Sequence, residues 1–132
     1  MPRFFVGDVP IGDQLVLIAG PCVLEDQERM KRLLHGLVTI ADAAQVPFIF
    51  KASFDKANRT ALGSHRGPGL HDGLEQLAEL KAAFGVPITT DVHEAHQAPA
   101  VAQVADLLQV PAFLCRQTDL LLACAATGRP VN

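Results

Sequence analysis

Residues 50–70 read FKASFDKANRTALGSHRGPGL. Lys51, Lys56, Arg59 and Arg66 place four of the chain's eleven basic residues within sixteen positions, against one acid, Asp55. Ser53, Asn58, Thr60 and Ser64 add hydrogen-bonding groups, and Gly67 and Gly69 permit close backbone approach. Fixed positive charge with directional donors is what a phosphorylated substrate requires. A solvated basic loop has the same composition, so composition alone does not separate the two. Lys51 favours a site, because it ends an apolar run and a lysine there needs an anion nearby.

Three further segments carry groups able to do chemistry. In AGPCVLE, Gly20 and Pro21 turn the chain and Cys22 follows; its thiol could be a metal ligand, a nucleophile or a packing group. In TTDVHEAHQ, Asp91, His93 and His96 are ionisable. HEAH lacks the spacing of the helix-borne zinc motif, and His96 reads as an exposed helix residue. In QVPAFLCRQTDLL, Gln109 offers an amide, Pro111 and Phe113 a stiff corner, and Arg116 a guanidinium suited to bidentate phosphate binding. Asp119 suits a helix start, and Cys115 and Cys124 read as packing residues.

Each of these segments follows a short apolar run. The runs, 15–19 (LVLIA), 47–51 (PFIFK), 87–91 (PITTD) and 106–110 (DLLQV), read as strands of a parallel sheet covered on both faces. Between them the spacing predicts helices. Residues 25–44 carry Met30, Leu33, Leu34, Leu37 and Ile40; residues 71–84 carry Leu74, Leu77, Leu80 and Phe84, closed by Gly85 and Pro87. Shorter helices are expected over 95–103 and 118–127. This alternation means α/β with right-handed crossovers, either doubly wound or part of a (β/α)8 barrel. In a parallel α/β fold, chemistry gathers at the carboxyl ends of the strands, where all four segments lie. A whole barrel needs about 250 residues. The 132 present, with 129–132 resembling the start of a fifth strand, suggest one domain or half of one.

Composition removes several classes. With no Trp or Tyr, an RNA-stacking surface is not expected, and a net charge of −3 argues against nucleic acid as a partner. No apolar stretch reaches membrane-spanning length, and the first residues do not read as a signal peptide. Three cysteines at unrelated spacings fit a reducing compartment, so a cytoplasmic location is expected.

IAGPCVLE, FKASFDKANRT, RGPGL, TDVHE and VPAFLCRQTDLL together resemble the signature blocks of the 3-deoxy-D-manno-octulosonate 8-phosphate synthases, in that family's order and spacing over residues 15–132. The related 3-deoxy-heptulosonate 7-phosphate synthases share the AGPC turn but not KASFDKANR or PAFLCRQTDL. The resemblance implies the N-terminal half of a (β/α)8 barrel, about four βα units, with residues 1–14 as a short hairpin at its bottom. It also implies a homotetramer that condenses phosphoenolpyruvate with arabinose 5-phosphate in lipopolysaccharide biosynthesis.

By resemblance, Lys51, Ser53 and Lys56 face phosphoenolpyruvate, and Gln109, Pro111 and Ala112 shape its pocket. Asn58, Arg59 and Thr60 hold arabinose 5-phosphate, Asp91 touches the sugar, and Arg116 reaches a neighbouring protomer's sugar phosphate. Lys56 and Asp91 are the catalytic candidates. Cys22 implies the metal-dependent class, using a divalent transition metal such as Zn, Fe or Mn whose other ligands lie beyond residue 132. His65 and the TALG stretch at 60–63 depart from the usual pattern. A heptulosonate-type or sialic-acid-type synthase and a non-catalytic half barrel are the competing readings.

Overall fold

The computed structural model describes residues 4–57 and 59–132. A two-stranded antiparallel sheet, β1 (Phe4–Val6) and β2 (Val9–Ile11), precedes a four-stranded parallel sheet in the order β3 (Leu17–Ala19), β4 (Phe48–Lys51), β5 (Ile88–Asp91) and β6 (Leu107–Gln109). Sequential neighbours joined by helical crossovers make this an α/β unit, consistent with part of a barrel. Val131 forms an isolated parallel bridge with Leu108 on the open side of β6.

The helices are α1 (Gln27–Ala44), α2 (Leu70–Phe84), α3 (Ala98–Val104) and α4 (Thr118–Ala126). α1 starts two residues later than expected because the Asp26 side chain caps it, accepting from the Arg29 backbone N–H at 2.9 Å. Met30 and Leu34 are wholly buried, each contributing roughly 2 kcal/mol of apolar burial. Leu33 and Ile40 face outward, so the apolar stripe is narrower than its spacing suggested. α2 stops at Gly85, whose positive φ of 65° lets its N–H reach the Lys81 carbonyl. The segment expected as one helix over 95–103 is a 3-10 turn, Ala95–Gln97, followed by α3 with Pro99 in its first turn.

Strand alternation sorts the side chains. Phe48, Phe50, Ile88 and Leu108 point to the helices, in one core with Met30, Leu34, Leu77 and Leu80. On the opposite face Ile49 and Leu107 pack against Val6 and Val9 of the antiparallel pair. Two residues further along those strands, on that same face, stand Lys51 and Gln109. One face thus carries an apolar patch at one end and polar groups at the carboxyl end. At the start of β6, buried Asp106 accepts from Lys81 Nζ at 2.8 Å and from the Ile88 N–H at 3.0 Å, tying β6 to β5 and α2.

Candidate active site at the carboxyl ends of the parallel strands

Lys51, Ser53, Asp91 and Gln109 meet where β4, β5 and β6 end. Lys51 Nζ donates to Ser53 Oγ at 2.8 Å and lies 3.1 Å from Asp91 Oδ1. Ser53 Oγ donates to Asp91 Oδ2 at 2.8 Å, and Gln109 Nε2 donates to Asp91 Oδ1 at 3.4 Å. The register explains the meeting, because Asp91 and Gln109 are direct partners across β5 and β6. Lys51 therefore has its anion within the protein. Gly20 lets β3 approach, since a Cβ there would collide with the Lys51 carbonyl.

Burial pushes the Asp91 carboxyl pKa up. The His93 hydrogen bond, the Lys51 charge and the Ser53 and Lys51 hydrogen bonds outweigh that and hold it at about 2. Asp91 is therefore a permanent anion at neutral pH, an acceptor and orienter, with no proton to give. His93 Nε2 lies 3.5 Å from Asp91 Oδ2, its ring meets Phe54 edge-on at 5.4 Å, and its buried Nδ1 has no hydrogen-bond partner among the described residues.

Beside this cluster opens a cleft of about 390 Å³. Asp55, Lys56, Asp91, His93 and Gln109 form its polar wall. Pro111, Ala112, Phe113 and Leu114 form an apolar one, with Ala112–Leu114 wound into a 3-10 turn after β6. Lys51 is committed to Asp91 and Arg66 to Asp55, whereas Lys56 has no ion-pair partner among the described residues. A cation without an internal partner in a cleft of mixed lining suits a small anionic ligand.

Lys56 projects from the neck of the 54–69 loop. Its N–H donates to the Arg66 carbonyl at 2.7 Å, and the Gly69 N–H donates to the Phe54 carbonyl at 2.9 Å. Gly67 adopts φ +110°, and a Cβ there would lie 2.5 Å from the Phe54 carbonyl oxygen, so the neck requires glycine. The loop rests on the β3–α1 connection: Leu24 N–H donates to Ser53 O, and His65 Nε2 donates to Leu24 O, both at 2.9 Å. His65, the residue that departs from the usual pattern, is thus a tie between two loops.

The other expected site residues lie apart. Arg59 sits beyond the neck and donates weakly to the Ser64 carbonyl at 3.4 Å, while Thr60 is exposed. Asn58 lies outside the described residues. Arg116 is exposed and does not line the cleft. Cys22 is exposed after β3; Cys115, after the 3-10 turn, is also exposed, contrary to expectation, whereas Cys124 is buried. Among the described residues no group of three or more His, Cys, Asp or Glu converges to hold a metal, around Cys22 or elsewhere. Asp55 was legible only as the lone acid of a basic loop; that it lines the cleft follows from the loop's folding.

A model of the DAHP synthetase I family matches residues 6–132. The chain belongs to this family. Among curated proteins it is similar to the 2-dehydro-3-deoxyphosphooctonate aldolase of Fusobacterium nucleatum subsp. nucleatum, with 56% identity over 129 residues, 96% of this chain and 46% of that protein. The proteins of the same name from Synechococcus sp. and Koribacter versatilis are each 53% identical over 130 residues, 98% of this chain, and are covered to 45% and 47%. The chain thus spans just under half the length of the curated relatives it matches. Each of these matches runs over nearly the whole length of this chain.

Proposed function

We propose that this chain forms the phosphoenolpyruvate-binding half of a 3-deoxy-D-manno-octulosonate 8-phosphate synthase, serving lipopolysaccharide biosynthesis in the cytoplasm. The observation that carries the reading is the Lys51–Ser53–Asp91–Gln109 cluster beside an unpaired Lys56. The relatives' printed name points the same way. No helix among the described residues is long and apolar enough to cross a membrane.

In the reaction, C3 of phosphoenolpyruvate forms a bond to the aldehyde carbon of arabinose 5-phosphate, and the aldehyde oxygen takes up a proton. Water adds at C2, and cleavage of the C2–O bond releases inorganic phosphate. Lys56 supplies charge to the phosphoenolpyruvate anion, and the apolar Pro111–Ala112 wall keeps bulk water from it, strengthening that attraction. Lys51 is the second cation, steadied by Asp91 and Ser53. Asp91, held ionised, accepts a hydrogen bond from a sugar hydroxyl and fixes the sugar's orientation.

Arg59, Thr60 and Asn58 are the candidates for the sugar phosphate within this chain. Arg116, exposed and clear of the cleft, serves a neighbouring protomer's site in a homotetramer. Cys22 is the candidate metal ligand, a soft thiolate suited to a transition metal. A lone thiolate does not make a metal site, so no step of the reaction is assigned to one.

The test is substrate choice. The protein as its gene encodes it, given phosphoenolpyruvate, is expected to release phosphate with arabinose 5-phosphate and not with erythrose 4-phosphate. The reverse preference would assign it to the heptulosonate branch.

A further inference from the structure

The wall of the cleft holds a carboxylate that a site for an anionic substrate would be expected to avoid. Asp55 lines it next to Lys56, and it is one-quarter exposed. Its neutralisation is specific: Arg66 Nε donates to Asp55 Oδ1 at 2.6 Å and Nη2 to Oδ2 at 3.1 Å, a side-on bidentate pair eleven residues apart in sequence. The Arg66 side chain is about half exposed and does not line the cleft. Its backbone carbonyl meanwhile accepts from the Lys56 N–H, so the residue that covers the carboxylate also closes the neck from which Lys56 extends.

We infer that Arg66 is a positioning residue: it holds the Asp55 carboxylate in a bidentate pair at the cleft wall and so leaves the Lys56 ammonium to the substrate anion. Without the guanidinium, Asp55 stands as an uncompensated negative charge beside an anionic ligand and competes for Lys56. In the intact pair the Arg66 hydrogen bond keeps Asp55 more acidic than an ordinary carboxyl. The ligand, phosphoenolpyruvate, rests on the function proposed above.

The test is a double-variant cycle in the protein as its gene encodes it, reading phosphoenolpyruvate affinity by titration and KM against kcat. Arg66→Ala is expected to weaken affinity on the order of tenfold, the scale of one partly solvated like-charge contact, with a much smaller change in kcat. Asp55→Asn is expected to shift KM the opposite way, since it frees a cation near the cleft. The double variant is expected to recover most of the Arg66→Ala loss. A clamp that serves only folding gives another pattern: Asp55→Asn weakens affinity as much as Arg66→Ala, and the double variant recovers nothing. That pattern overturns the inference. Arg66→Gln, which keeps the aliphatic stem, repeats the cycle should the alanine variant fail to fold.

The two levels of the account fail separately. Phosphoenolpyruvate binding with the expected variant order, but no octulosonate product, removes the proposed reaction and keeps the role of Arg66. Product formation with no rescue removes that role and keeps the reaction. A wild-type protein that does not bind phosphoenolpyruvate contradicts both.

Discussion

Lys51 and Asp91 face each other across the carboxyl ends of two neighbouring parallel strands, with Nζ 3.1 Å from Oδ1 and both side chains largely withdrawn from solvent. The pair converts what would be an isolated lysine at a strand end into a fixed dipole, cross-braced by Ser53 and Gln109.

This relationship makes stability depend on acid in a defined direction. The Asp91 pKa is about 2 in the fold against an ordinary value of 3.8, so its contribution is complete above about pH 4 and is lost as pH falls toward 2. That contribution is roughly 2 kcal/mol. Asp91→Asn is expected to destabilise by a similar amount at pH 7 and to flatten the loss below pH 4, because Lys51 then has no anion. Urea denaturation at stepped pH measures both, and parallel acid profiles for wild type and variant would contradict the assignment.

Lys56 and Arg116 are separated by the cleft's geometry. Lys56→Ala is expected to raise KM for phosphoenolpyruvate and lower kcat strongly, on the order of a hundredfold in kcat/KM, since it removes a cation from a partly desolvated anion site. Arg116→Ala, which does not line the cleft, is expected to spare phosphoenolpyruvate affinity and weaken arabinose 5-phosphate. Steady-state kinetics with each substrate varied in turn distinguish them. A mild effect from Lys56→Ala would mean that the 54–69 loop is solvated surface.

Much of the framework was legible before the fold. The four parallel strands and both long helices follow from apolar runs and three- and four-residue spacing, because burial on two faces leaves a continuous signal. The N-terminus of α1 and the 3-10 turn at Ala95–Gln97 were not, since single side-chain caps and a proline decide them. The site divides the same way. Lys51, Ser53 and Asp91 could be placed at strand ends from sequence, but their mutual hydrogen bonds depend on register between β4 and β5, which spacing does not encode. The pairing of Asp55 with Arg66 depends on how a loop folds back, and charge counting saw only one acid among four bases. Cys115 misled because a thiol in an apolar run reads as core, while a short 3-10 turn carries it to the surface.

Cys22 offers a chemical test. With no group of three or more ligands among the described residues, the isolated 132-residue chain is expected to retain no stoichiometric zinc after gel filtration. In the protein as its gene encodes it, a metal-dependent enzyme would lose both metal and turnover on Cys22→Ser. Elemental analysis beside the activity assay reads both. Full turnover in a metal-free wild-type sample would leave Cys22 without a metal role.

The most direct measurement joins this chain at residue 132 to the second half of the Fusobacterium nucleatum relative and assays the purified chimera with phosphoenolpyruvate and arabinose 5-phosphate. If residues 1–132 supply the phosphoenolpyruvate site, the folded chimera forms 3-deoxy-D-manno-octulosonate 8-phosphate and inorganic phosphate in equal amounts, and Lys56→Ala in the same chimera abolishes most of it. A cooperatively folded chimera that forms none of this product, or forms a product only with erythrose 4-phosphate, would contradict the account.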